Sequence, residues 1–198
     1  GGISCFYSDA HIVGNRIAGN KSFDGGGIRI YGGSALVEFN DIICNSTEAY
    51  GGGVDCWMAS PKILNNRIVG NMVLTEYWSE SGVGITLSYC TNILIANNLV
   101  MSNFKVPFSG SVRYDSAGGI YCGTNVTGAI INNTLIHNQG GRAGGLWCYS
   151  PDVLVLNNII AFNSSGAGGS ADMLFTNNCV YGNADYDSLQ IRAQRRFV

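Results

Sequence analysis

Side chains able to hold a metal or to act as nucleophiles are few and scattered in this chain. Seven cysteines and two histidines are spread over 198 residues, and no two cysteines have the C-x-x-C spacing of a zinc site. The odd number of cysteines leaves at least one thiol unpaired in any disulfide scheme. We therefore expect mostly buried free thiols that act as small apolar side chains, with no metal site and no cofactor.

Charged residues form only 12% of the chain, so acid–base pairs are scarce as well. The candidates for catalysis are Arg29, Asp55 and Arg113, with an arginine as the base and Asp55 or a tyrosine as its partner. An arginine abstracts a proton only in a strongly perturbed environment. A surface ion pair between Arg29 and Asp55 is the simpler interpretation.

Large aromatic residues form the third group with a chemical use. Exposed aromatic rings with polar neighbours can stack on sugar rings, which suggests a glycan-binding groove. The same rings can instead stack on one another and stabilise a sheet. The candidate ligand-binding residues are Tyr31, Trp57, Tyr121, Trp147, Tyr149 and Trp78, and both interpretations stay open.

An internal repeat sets the positions of most of these residues. Blocks that begin at Gly1, Gly26, Gly52 and Gly144 align without a gap, and three further copies align less completely. Two columns of asparagine are filled in every copy. The first column is Asn15, Asn40, Asn66, Asn98, Asn133, Asn158 and Asn178, and the second is Asn20, Asn45, Asn71, Asn103, Asn138, Asn163 and Asn183.

Apolar residues follow the same register and recur at every second position. β-Branched residues dominate these columns, which predicts three short strands in each repeat with one buried face. A unit of about 25 residues cannot close a core alone, but stacked copies can bury a continuous apolar column. We predict an all-β fold, a single-stranded parallel β-helix of about seven coils over residues 1–183. Its stacked asparagines would form ladders and accept the positive φ of sharp bends.

Other repeat architectures fit less well. Helical solenoids need apolar stripes of period 3.6, leucine-rich repeats need leucine columns with a helical segment, and neither pattern is present. A propeller blade needs roughly 40 residues or more. The pattern GG-φ-x-[CIL], followed by S-P-x-φ-x-φ and then N-N-x-φ-x-x-N, where φ is an apolar residue, resembles that of the pectate-lyase-like right-handed β-helix proteins.

The resemblance implies a right-handed coil, an extracellular or cell-surface location, and substrates that lie along the outer face of the first strand of each coil. Members with lyase activity hold calcium with clustered aspartates there, whereas the matching rows here contain one acid, Asp55, and one base, Arg29. The Gly-His-Gly and Arg-x-Lys motifs of the related glycoside hydrolases are missing too. The family's catalytic sets therefore do not transfer to this chain.

Two functional classes remain: a carbohydrate-binding or structural module, and a polysaccharide lyase or other glycan-active enzyme with a non-standard site.

Long repeats place insertions at 72–83 and 104–117, which would overhang the aromatic rows. The net charge of −2 does not indicate a nucleic-acid-binding surface, and no apolar run is long enough for a membrane-spanning helix. Residues 184–198 leave the repeat as a tail that would cap the last coil. An uncapped end would favour end-to-end self-association or a flanking domain of a longer chain.

Overall fold

The computed structural model describes residues 1–74, 81–106 and 116–189, and in these ranges the chain is built from strands and turns with no helix. The first half contains β1 (Ile3–Phe6), β2 (His11–Val13), β3 (Arg16–Ala18), β4 (Lys21–Ser22), β5 (Ile28–Tyr31), β6 (Leu36–Glu38), β7 (Asp41–Ile43), β8 (Ser46–Thr47), β9 (Val54–Trp57), β10 (Lys62–Leu64), β11 (Arg67–Val69) and β12 (Met72–Val73). The second half contains β13 (Ile85–Ser88), β14 (Ile93–Ala96), β15 (Leu99–Met101), β16 (Phe104–Lys105), β17 (Ile120–Cys122), β18 (Gly128–Ile131), β19 (Thr134–Ile136), β20 (Leu146–Cys148), β21 (Val153–Leu156), β22 (Ile159–Ala161), β23 (Ala167–Gly169), β24 (Leu174–Thr176), β25 (Cys179–Tyr181) and β26 (Ser188–Leu189).

The strands form four sheets whose neighbours are parallel and come from successive repeats. The first sheet has the order β1-β5-β9-β13-β17-β20-β23-β26, and the second has the order β2-β6-β10-β14-β18-β21-β24. The third runs β3-β7-β11-β15-β19-β22-β25, and the short fourth runs β4-β8-β12-β16. The all-β prediction with parallel, repeated strands is confirmed, and the arrangement is compatible with a parallel β-helix.

The fourth sheet was not predicted from the sequence. Its strands have only two residues, so alternation between a buried and an exposed side chain cannot be recognised in them. Thr47 and Val73 are nevertheless fully buried, because each continues the inward-facing pattern beyond the second asparagine column. The first four repeats, which contain β4, β8, β12 and β16, therefore each have four short strands rather than three.

The core consists of the predicted apolar columns. The central members of each column are buried: Ile28, Val54, Ile85, Ile120 and Leu146 in the first sheet, Val37, Ile63, Ile95, Ile130 and Val155 in the second, and Ile42, Ile68, Val100, Leu135 and Ile160 in the third. All seven thiols are free, and five are buried, namely Cys5, Cys56, Cys90, Cys122 and Cys148. The expectation of mostly buried free thiols is confirmed, while Cys44 and Cys179 are exposed.

Both asparagine columns form continuous hydrogen-bonded ladders. In each column the side-chain Nδ2 donates to Oδ1 of the next asparagine at 2.9–3.2 Å. The same Oδ1 also accepts from the backbone N–H of the preceding ladder asparagine, for example from Asn66 to Asn98 at 2.9 Å. Ten of these asparagines are almost completely buried. The ladders thus satisfy polar groups that would otherwise be buried without partners.

The positive φ of the turns belongs to different residues than predicted. The ladder asparagines do not adopt it; the residue just before each one does, as in Phe39 (54°), Asn97 (57°) and Phe162 (57°). The ladder side chains must point inward to bond one another, so the bend is taken by the preceding residue, which faces solvent. The predicted role of asparagine at these bends therefore applies to neighbours such as Asn97 and Asn132.

Candidate functional site

A group of aromatic side chains lies on the outer side of the first sheet, where strands β1, β5 and β9 end. Phe6, Tyr31 and Trp57 are register partners on consecutive strands. Tyr7 directly follows β1, and Tyr89 directly follows β13, at the equivalent turn position of the first and fourth repeats. We call these five residues the aromatic strip. Phe6 and Tyr7 are 59% and 76% exposed, and Tyr31 and Trp57 are half-buried.

The rings of the aromatic strip contact one another in pairs. Phe6 and Tyr31 are stacked, with centroids 5.4 Å apart and planes 20° from parallel. Tyr7 meets the edge of Tyr31 at 5.5 Å, and Trp57 lies 5.1 Å from Tyr89. The rings of the strip therefore support one another and keep accessible faces. This arrangement is compatible with both predicted roles, stabilisation of the sheet and stacking on a ligand.

A glycine makes room for the most exposed ring. In the second repeat the turn position is Gly32, with φ of +69°. A Cβ atom there would lie 2.5 Å from Cδ1 of Tyr7. The absence of a side chain at Gly32 thus allows the ring of Tyr7 to lie directly against the neighbouring turn.

Two residues predicted to be exposed ligand contacts are buried instead. Tyr121 is 1% exposed and Trp147 is 2% exposed. They pack with Ala117 and Ala143 in a cluster separate from the main core, with half-buried Tyr149 against it. The prediction that both rings face solvent was wrong, because residues ahead of β17 and β20 form an extra layer over them. Ala117 and Ala143 pair with each other as an isolated parallel bridge in that layer.

Further contacts hold this buried aromatic cluster together. The guanidinium of Arg142 lies 4.9 Å from the ring of Trp147 and 5.6 Å from that of Tyr149, and it donates a hydrogen bond to the Tyr149 hydroxyl. The indole of Trp147 extends over Gly168 on the next strand, where a Cβ atom would come within 2.3 Å of the ring. Gly168 in β23 therefore leaves the space that the indole of Trp147 in β20 occupies.

A polar cluster lies beside the aromatic strip on the same outer face. Arg29 is two residues before Tyr31, and Asp55 is two residues before Trp57, so each shares a face with its aromatic neighbour. Nη1 of Arg29 bonds Oδ2 of Asp24 at 2.5 Å, and its Nε is 3.8 Å from Oδ2 of Asp55. We call Asp24, Arg29 and Asp55 the polar cluster.

Burial distinguishes this cluster from the predicted surface ion pair. Asp55 is only 2% exposed, so the prediction that its contact with Arg29 lies at the surface was wrong. Loss of hydration raises the pKa of Asp55 to about 7; Arg29 acts in the opposite direction, and Asp24 raises it further. Among the described residues, Oδ1 of Asp55, Oδ1 of Asp24 and Nε of Arg29 are buried without a hydrogen-bond partner.

Asp24 is the member of the polar cluster that sequence reasoning missed. It lies in the connection before β5, outside the aligned columns, so the repeat gave it no register. The sequence does contain one indication of this contact. Asp24 and Arg29 are five residues apart on either side of the run Gly25–Gly27, where the chain turns sharply. Gly25 has φ of +60°, and a Cβ atom there would lie 2.7 Å from Cβ of Arg29.

The chemistry open to this surface is mainly binding. Asp55 has a pKa suited to proton transfer near neutrality, but its burial keeps it from a large substrate. No group of three or more histidine, cysteine, aspartate or glutamate residues that could hold a metal occurs in the ranges that the structure describes. The remaining predicted site residues, Trp78 and Arg113, lie outside those ranges.

Comparison with profiles of known protein families, with curated proteins and with solved structures found no match to this chain. Within residues 1–74, 81–106 and 116–189, no helix has the length and apolarity needed to cross a membrane.

Proposed function

We propose that the chain is a right-handed parallel β-helix of the pectate-lyase-like type that serves as an extracellular glycan-binding module without catalytic activity. The observation that carries this proposal is the aromatic strip, a row of accessible rings over four neighbouring repeats of one sheet. The order of the four parallel sheets supports the coil, and the sequence resemblance supports its hand and location.

Stacking explains how such a strip would hold a sugar chain. The apolar face of a pyranose ring can cover an aromatic ring while its hydroxyl groups stay in water. By analogy with nucleobases, one stacking contact is worth about 1–3 kcal/mol. Tyr31 and Trp57 offer ring faces already ordered by neighbours at 5.4 Å and 5.1 Å, so little side-chain freedom is lost on binding.

Calorimetric titration with cello-, manno- and galacto-oligosaccharides tests this proposal. We expect Trp57→Ala to weaken binding of the preferred sugar roughly 5- to 150-fold, because one stacking contact is lost. Phe162→Ala is the matched control, since Phe162 is 53% exposed and stacks on His137 away from the strip. Equal effects of the two substitutions, or no binding to any glycan, would contradict the proposal.

One observation favours the second candidate, a glycan-active enzyme. Asp55 has its pKa near 7 beside an arginine, as a proton donor at neutral pH requires. Incubation with neutral and acidic polysaccharides, with and without calcium, would separate the two functions. Reducing ends or unsaturated products that disappear in Asp55→Asn would establish catalysis, whereas binding without products supports the module.

A further inference from the structure

Charge at the aromatic strip limits which glycans can bind there. Arg29 is the only basic residue on the described strands of the first sheet. Asp24 and Asp55 contact Arg29 in the polar cluster, and exposed Asp9 follows Tyr7 by two residues. We infer that the aromatic strip binds an uncharged, hydroxyl-only glycan and rejects polymers of uronic acids, because Arg29, the cation of the polar cluster, is already paired with Asp24. This inference rests on the proposed glycan-binding function.

The commitment of Arg29 is set by geometry. Its Nη1 lies 2.5 Å from Oδ2 of Asp24, and its side chain is 30% exposed whereas that of Asp24 is 12% exposed. A sugar carboxylate that took this guanidinium would leave Asp24 as a buried charge without a partner. Breaking one side of a buried ion pair is strongly unfavourable, so Arg29 is not a free anion-binding group.

The other acids strengthen the discrimination. Asp55 lies behind Arg29 at 3.8 Å, so any negative charge it carries already interacts with the same guanidinium. The carboxylate of Asp9, two residues after Tyr7, accepts a hydrogen bond from the backbone N–H of Ser34 at 2.7 Å. A uronate carboxylate placed along the strip would lose hydration without gaining an unpaired cation from the described strands of the first sheet, because Arg29 is paired with Asp24.

A preference for amino sugars is not expected either. The paired charges of Asp24 and Arg29 cancel, and the raised pKa of Asp55 leaves much of that carboxyl uncharged at neutral pH. The cluster therefore has little net charge to attract a sugar ammonium. The exposed part of Arg29 can still donate hydrogen bonds to hydroxyl groups, which need no counter-ion.

The test compares hexasaccharides whose sugar units carry a hydroxyl, a carboxylate or an amino group at one position. Calorimetric titrations at pH 7 and low salt would use cellohexaose against hexaglucuronate, galactohexaose against hexagalacturonate, and chitosan hexamer as the cationic probe. We expect the better neutral hexamer to bind at least tenfold more tightly than its uronate partner and than the chitosan hexamer. Asp24→Asn should reduce the neutral-to-uronate ratio at least fivefold by freeing Arg29, and Asp152→Asn, an exposed acid in a later turn, should leave it unchanged.

The outcomes separate this inference from the proposed function. Tighter binding of a uronate or chitosan hexamer by the wild-type chain, lost in Trp57→Ala, would overturn the inference and leave glycan binding in place. An unchanged ratio in a folded Asp24→Asn variant would also overturn it, because Arg29 would then not be held back by Asp24. No binding of any hexamer would overturn both.

Discussion

Replacement of a central ladder asparagine isolates the contribution of the ladders to stability. Asn98 is 2% exposed and lies in the middle of the first ladder. Its Nδ2 donates to the carbonyl oxygen of Ile63 at 2.8 Å and to Oδ1 of Asn133 at 2.9 Å. Its Oδ1 accepts from the backbone N–H and the Nδ2 of Asn66 at 2.9 and 3.0 Å. Asn98→Ala removes all four bonds.

The magnitude follows from the groups left without these bonds. The buried N–H of Asn66 loses its acceptor and the carbonyl of Ile63 loses a donor, whereas Oδ1 of Asn133 still accepts from the backbone N–H of Asn98. A buried polar group without a partner costs about 1–3 kcal/mol. Two such groups give an expected loss of about 2–6 kcal/mol in the free energy of unfolding of Asn98→Ala.

Urea unfolding followed by tryptophan fluorescence and by circular dichroism measures this change. Asn97→Gly is the control, since Asn97 is exposed and has φ of +57°, which glycine adopts freely. The control should cost about 1 kcal/mol or less. A loss in Asn98→Ala no larger than that of the control would refute the idea that ladder bonds hold successive repeats together.

Two further predictions concern the surface around the aromatic strip. Because the pKa of Asp55 rises from 3.8 to about 7 on folding, the folded chain binds this proton more tightly, and stability falls as the pH rises from about 4 to 7. Asp55→Asn should thus be more stable than wild type at pH 8 by up to about 4 kcal/mol and nearly equal to it at pH 4, as urea midpoints would show; a difference independent of pH would contradict this. Gly32→Ala and Gly14→Ala both place alanine at φ near +70°, but a Cβ atom meets Tyr7 only at position 32, while nothing lies within 4 Å at position 14. Gly14→Ala should lower the free energy of unfolding by about 1 kcal/mol, and Gly32→Ala should lower it more because the Tyr7 ring must move. Thermal unfolding measures both variants, and equal melting temperatures would contradict this prediction.

The core and the ladders were predictable because every repeat buries the same positions. Seven copies of one pattern make columns such as that of Ile63 and that of Asn98 visible without any structure. The positive φ was assigned one residue too late, since the sequence shows where asparagines recur but not which side chains must turn inward. Phe39 and Phe162 have this backbone conformation without a residue type that suggests it.

The candidate site was harder to predict, because its properties depend on contacts outside the columns. Trp57 and Trp147 lie on the same outer face of the first sheet, Trp57 in the row of Tyr31 and Trp147 in the row of Asp55. Only Trp147 is covered, by Ala117, Ala143 and Arg142 from segments between repeats. The burial of Asp55, and with it the raised pKa, has the same kind of origin. A repeat pattern fixes which side of a strand a residue faces, while the connections between repeats decide whether that side reaches water.

Hydrogen-bond scalar couplings test the stacking of the repeats most directly. In the deuterated, isotope-labelled chain, long-range NMR experiments correlate a donor nitrogen with the carbonyl carbon that accepts its proton. The structure predicts correlations from Nδ2 of Asn66 to Cγ of Asn98 and from Nδ2 of Asn98 to Cγ of Asn133, with a parallel series from Asn71 through Asn103. Correlations that join the two columns to each other, or none between repeats in a folded sample, would contradict the in-register stack and remove the basis for the aromatic strip.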